Sequence, residues 1–318
     1  MTEIAHPDDL ALLGPHHRVA ATAVVTPIGT RVAIRGAARD AEFEIGSVSK
    51  ALTGLLHADS LARGEVRPET QLADLLPLAG TAVGAATLGS LATHRSGLPR
   101  LPAAAHPARK TWALWRHGTN PYGESLAEFL DQCRPVPLGR PRPRYSNMGF
   151  ALLGHALAAA AGTRFADLVA DRLAGPLALS GVSVPATPAE LTPRSLVGTA
   201  RRGRPVEPWT GEGIGPAGAV RAPIDALARL LEALLAGTAP GVAALEPVAD
   251  LGWGARIGAG WLVSPREGSS VTWHNGGTGG FRSFVGLDRA AGVGVAVVTA
   301  TARSVDGPGF ALLAAARP

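Results

Sequence analysis

The chain has 318 residues, room for about two average domains or for one large domain carrying an insertion. Hydrophobic residues make up 46% and charged residues 17%, which excludes intrinsic disorder, and the 40 Gly and 26 Pro follow no period, which excludes a collagen-like or low-complexity chain. The net charge of +5 comes from arginine, because Lys50 and Lys110 are the only lysines; the basic stretches Arg140–Arg144 and Arg201–Arg204 carry no interleaved aromatics, so they are expected to be solvated loops with no nucleic-acid partner.

In chain order, Val19–Val25 and Arg31–Arg35 alternate as two strands joined by a turn at Pro27–Thr30, and Ala41–Ile45 is a short extended piece. A helix is predicted from Ser47 to Arg63, apolar around most of its circumference and stopped by Gly64, which places it inside the protein. Short helices separated by Pro and Gly follow at Thr87–Thr93, Leu126–Gln132, Met148–Ala161 and Phe165–Leu173, then one at Ile224–Leu235. Strands return at Gly260–Val263, Ser270–Trp273, Arg282–Leu287 and Val293–Thr299, before a last helix at Phe310–Ala316. Strands at both ends around a helical middle imply one α/β domain built from residues 1–66 and 200–318, with an all-helical insertion domain over 67–199. Trp112 and Trp115, inside that insertion, are expected to pack in the core, with a substrate-pocket wall as the alternative.

Cys133 stands alone, so no internal disulfide framework exists, and the first 20 residues lack the apolar run of a secretory signal. No apolar stretch approaches the length of about 18 residues that a membrane span needs. A cytoplasmic location with no membrane partner is the expectation.

Three short motifs can carry chemistry. In Ser47-Val48-Ser49-Lys50 the hydroxyl and amine are one helical turn apart and within reach. Burial and the positive end of a helix disfavour the ammonium, so the amine can take the serine's proton, while the N–H of Ser47 is free to hold an oxyanion. Tyr145-Ser146-Asn147 precedes a helix; a phenol relays protons and an amide offers a donor and an acceptor. The chain has only two Tyr and three Asn, so a chance Tyr-x-Asn is rare. The third motif, His274-Asn275-Gly276-Gly277 with more glycine behind it, follows the strand ending at Trp273; a substrate backbone can lie against it, and the N–H of Gly277 can complete the oxyanion hole.

Competing motifs fail on context. Gly213–Gly218 fits G-x-G-x-x-G but has no preceding strand and contains Pro216; no G-x-S-x-G elbow exists; and the histidines lack zinc spacing, so no metal or cofactor is expected.

Together the three motifs resemble those of the serine β-lactamase and D,D-peptidase superfamily, and the Tyr-x-Asn form is similar to its class C β-lactamase, carboxypeptidase and family VIII esterase branch. The resemblance takes in Phe43–Lys50, the helix and turn Thr87–Pro99, and Pro216–Val220 with Asp225–Arg229, running from about residue 18 to the end. It implies an α/β (α+β) fold of the β-lactamase/transpeptidase type, an antiparallel sheet flanked by helices. It further implies Ser47 as the acylated nucleophile, Lys50 as its base, Tyr145 as the proton shuttle, Asn147, His274, Asn275 and Gly276 as substrate-binding residues, and the amides of Ser47 and Gly277 as the oxyanion hole. His274, Asn275 and Gly276 stand where many members carry Lys-Thr-Gly. A histidine half-protonated only near its ordinary pKa of about 6.5 is a weaker carboxylate holder than lysine. The expectation is a serine hydrolase or acyltransferase, esterase- or peptidase-like, acting on a small ester or amide. A β-lactamase or D-Ala-D-Ala carboxypeptidase, a biosynthetic transacylase and a catalytically silent ligand-binding homologue are the alternatives; retention of Ser47, Lys50 and Tyr145 together speaks against the last.

Overall fold

The structure, a computed structural model, describes residues 8–252, 254–266 and 268–318. Val, Ala and Thr alternate along the N-terminal segment and form a hairpin of β1 (Ala20–Thr26) and β2 (Gly29–Arg35), closed by a turn at Pro27 and Ile28, because β2 starts at Gly29, inside the turn expected over Pro27–Thr30. The extended piece before Ser47 keeps only two strand residues, β3 (Phe43–Glu44), which pair with β4 (Arg221–Ala222). The C-terminal half supplies β5 (Ala249–Gly252), β6 (Ala255–Ile257), β7 (Leu262–Arg266), β8 (Ser269–Gly277), β9 (Arg282–Asp288) and β10 (Val293–Thr299). Among the described residues the main sheet is antiparallel in the order β2-β1-β10-β9-β8-β7-β6-β5. The first and last parts of the chain therefore meet at the β1–β10 pair.

Six helices have eight or more residues among those described: α1 (Ser49–Ala62), α2 (Pro107–His117), α3 (Leu126–Cys133), α4 (Asn147–Ala160), α5 (Ile224–Leu235) and α6 (Asp306–Ala315). Successive strand residues point to opposite faces, so β10 sends Val293, Val295 and Val297 to one side, against Leu312 and Leu313 of α6, and Ala296 and Val298 to the other, into the large core holding α1, α4 and α5. Each fully buried valine contributes about 1.5–3 kcal/mol by leaving water. No helix among the described residues is long and apolar enough to cross a membrane.

Several elements differ from expectation. The predicted helix at Ser47 is split: Gly46–Val48 form a 3-10 turn and the α-helix starts at Ser49, whose hydroxyl donates to the Gly46 carbonyl at 2.6 Å and fixes the break. The strand expected to stop at Trp273 runs on through Gly277, because Gly276 and Gly277 keep their pairing with Ser283 and Arg282 across the ladder. Phe165–Leu173 is a short α-turn followed by a π-turn over Ala170–Ala174. Helix α2, β5 and β6 had no clear periodic signal. Trp112 and Trp115 lie on α2 and are 60% and 77% exposed, so neither packs in the core.

Candidate active site

Ser47 sits in the 3-10 turn because that turn is clamped to the sheet from below. The Ser283 hydroxyl of β9 donates to the Ile45 carbonyl at 2.6 Å, and Gly46 takes a left-handed φ of +52°. A side chain on Gly46 would come within 2.6 Å of the Gly277 nitrogen, and one on Gly276 would run into the Ile45 carbonyl and the Ser283 hydroxyl. The third motif thus lies directly against the first, and Gly276 serves as the close-approach point between them. The Thr278 N–H bonds the Phe281 carbonyl at the hairpin end, so the alternating ladder turns the Gly277 N–H away from β9. Strand β7 pairs with β8 only as far as Trp273, so the Gly277 N–H meets no strand there either. That leaves it free beside Ser47.

Lys50 lies in the first turn of α1, fully buried, with its Nζ 3.1 Å from Ser47 Oγ. The same amine donates to the Ala217 carbonyl at 2.6 Å. Burial, helped by the field of Arg100, holds Lys50 well below the ordinary lysine range, which favours the uncharged amine over the ammonium. The loop at 216–220 pins the helix start further: Thr53 donates to the Pro216 carbonyl and the Val220 N–H donates to Ser49 Oγ. The glycine-rich stretch 213–218 therefore holds Lys50 in place rather than cradling a phosphate.

Tyr145 precedes α4, with its hydroxyl close enough to Ser47 to feel it. Burial pushes the phenol up to about 12, partly opposed by Ser47 and by Arg100. The Lys50 ammonium-forming nitrogen lies 5.0 Å from the centroid of the Tyr145 ring. Ser146 caps α4 by accepting from the Gly149 N–H, and its own N–H donates to His94 Nδ1 at 3.2 Å. The His94 ring lies 4.5 Å from that of Tyr145.

Asn147 is buried beside Tyr122, and its Oδ1 has no hydrogen-bond partner among the described residues. His274 is buried on the site side of β8, and burial, reinforced by the neighbouring Lys50, pushes it down to about 3. Its Nδ1 donates to the Asn275 carbonyl at 2.7 Å. Burial thus leaves the imidazole neutral at pH values where an ordinary histidine is partly charged. Asn275 needs a second correction: strand alternation turns its side chain to the opposite face, where it donates to Asp306 of α6 at 3.0 Å, away from the site. Ser47, Lys50, Tyr145, Asn147, His274, Gly276 and Gly277 come together; the Asn275 side chain does not.

Sequence reasoning missed Arg100, Tyr122, His94 and the Ala217 carbonyl. His94 lies within, and Arg100 just beyond, the turn Thr87–Pro99, so the neighbourhood was visible and the roles were not. Next to the site a cavity of about 240 Å3 opens between α2 and α3, lined by Arg100, Lys110, Leu114, Tyr122, Phe129 and Trp209.

Residues 11–316 match the family model described as Beta-lactamase. Penicillin-binding protein 4 of Amycolatopsis lactamdurans is 32% identical over 160 residues, 48% of this chain but only 37% of that relative's length. The D-alanyl-D-alanine-carboxypeptidase/endopeptidase AmpH of Escherichia coli K12 is 25% identical over 286 residues, covering 81% of this chain and 71% of its own. Among solved structures, the D-alanine carboxypeptidase AmpC from Burkholderia cenocepacia superposes with a TM-score of 0.79 at 20% identity, over 96% of this chain and 97% of that one. A class C beta-lactamase from Rhodobacter sphaeroides does so with a TM-score of 0.77 at 19% identity, over 97% of each. At such identities these two structures establish the shared fold.

Proposed function

This chain belongs to the Beta-lactamase family, and from that premise we propose that it is a serine hydrolase of the esterase or peptidase kind, cleaving an ester or amide through an acyl-enzyme on Ser47. The carrying observation is the buried Nζ of Lys50 at 3.1 Å from Ser47 Oγ, in surroundings that disfavour its ammonium form. As Ser47 Oγ attacks the carbonyl carbon, Lys50 takes the hydroxyl proton, which offsets the weak nucleophilicity of an ordinary serine. The carbonyl oxygen becomes an oxyanion held by the N–H groups of Ser47 and Gly277, whose positions are set before substrate arrives. Tyr145, neutral at pH 7, gives its proton to the departing group and recovers one through Lys50. Water then attacks the acyl-enzyme, with the same groups run in reverse, and frees Ser47.

The names of the relatives favour a second reading, a β-lactamase or D-Ala-D-Ala carboxypeptidase. Against it stands His274: a neutral imidazole at the third motif offers no charge to a substrate carboxylate. An acyltransferase would use the same residues and differ only in the acceptor. Intact mass after incubation with a neutral fluorophosphonate tests the main reading: one adduct on the wild type, absent from Ser47→Ala, is expected, and an unlabelled, folded wild type would overturn it. Parallel incubation with a penicillin and a nitrophenyl ester separates the two substrate classes by which acyl-enzyme turns over.

A further inference from the structure

We propose that Arg100 selects the substrate by binding a carboxylate on its acyl portion, at the mouth of the cavity between α2 and α3. The inference rests on the serine-hydrolase reading and adds a substrate class to it. Its starting point is an imbalance of charge. His274 on β8 is buried and neutral, yet the site is not without positive charge. Arg100 lies with its guanidinium 5.5 Å from the centroid of the Tyr145 ring, and its field reaches Lys50, Tyr122 and Tyr145.

The other cations nearby are engaged. Lys110 is ion-paired with Glu124, and Arg282 uses its guanidinium on the carbonyls of Thr278 and Phe281. Arg100 is exposed and, among the described residues, has no carboxylate partner. A guanidinium offers a planar fork of donors that matches a carboxylate on two bonds at once.

The cavity behind Arg100 holds about 240 Å3, below the size of a drug-sized pocket and suited to a short chain. Its walls include Leu101, Leu114, Phe129 and Trp209 beside the Lys110–Glu124 ion pair, so the chain between the reacting carbonyl and the carboxylate is mainly apolar. A walled cavity keeps what enters it through both chemical steps, whereas the leaving group must clear the site before water attacks. Tyr122, on the cavity wall, lies beside Asn147, which places this side of the cavity next to the second motif. The carboxylate therefore belongs on the acyl portion.

The test compares two fluorophosphonates with the same alkyl tail, one ending in a carboxylate and the other in its methyl ester, by the rate at which each adds to Ser47. The carboxylate probe is expected to label the wild type about 10-fold faster or more, the size of a charge-assisted hydrogen bond. In Arg100→Gln the ratio should fall to near one, and Arg100→Lys should retain part of it. Because Arg100 also acts on Lys50, its removal changes both rates, and their ratio cancels that effect. Equal rates for the two probes in the wild type, or an unchanged ratio in Arg100→Gln, overturn the assignment while leaving the serine-hydrolase reading intact. If neither probe labels Ser47, that reading fails and the assignment falls with it.

Discussion

Helices α1 and α2 both border the candidate site, yet they are opposites. In α1 every residue from Ser49 to Ser60 is buried, including Lys50 and His57; in α2 none is buried, and two tryptophans face solvent. The helix that carries Lys50 is held on all sides by the core, and removal from water is what lowers the proton affinity of its lysine. The helix that walls the cavity is held at its end instead, where Arg204 donates to the carbonyls of Leu114, Trp115 and Arg116. Reactivity here depends on desolvation, whereas the cavity is bounded by an element with few packing constraints, the kind of segment that can vary or move without loss of the core.

The sharpest way to break this contrast is Lys50→Met. Labelling of Ser47 by a neutral fluorophosphonate should drop on the order of 10^3-fold, within the range of general-base contributions. The melting temperature should hold or rise, since a buried lysine that must shed its proton on folding costs stability. A variant labelled at the wild-type rate would remove Lys50 from the mechanism.

A smaller effect is expected at the other end of the same helix. His57 is buried with neither ring nitrogen partnered among the described residues, and burial pushes it down to about 4. The unfolded chain, with an ordinary histidine pKa of about 6.5, binds more protons below that pH than the folded one does. Stability is therefore lost as pH falls from about 6.5 toward 4, and His57→Leu should remove on the order of 3 kcal/mol of that loss. Urea denaturation at pH 7 and pH 4.5 measures it; an unchanged difference between the two pH values would show that the imidazole is not the cause.

On α2 the smallest effect is expected. Trp115→Ala should change unfolding free energy by less than about 0.5 kcal/mol, the usual size for an exposed position. A loss above about 1 kcal/mol in the same urea experiment would mean that the tryptophan is packed and that the two helices are less different than described.

Much of the site was legible in the chain itself. Ser47, Lys50, Tyr145 and Asn147 stand in short local patterns whose chemistry depends on residue type and spacing, and the hydrophobic alternation of β1, β9 and β10 announced the sheet. Asn275 was misjudged for a reason equally local in form: the glycines after it suggested a loop, and only the pairing of Gly276 and Gly277 with β9 kept the strand, and with it the alternation that sends Asn275 to the far face. The charge state of His274 was not legible, because its proton affinity depends on burial and on Lys50, which is distant in sequence.

By itself, the sequence determined the family of fold and the residues of the proposed site, since both follow from residue identities at fixed short intervals. Tertiary structure decided which of those groups are buried, which carbonyl steadies Lys50, and that Arg100 lines a cavity with no carboxylate partner among the described residues. Those properties arise from desolvation and from contacts between segments far apart along the chain, neither of which a local pattern records.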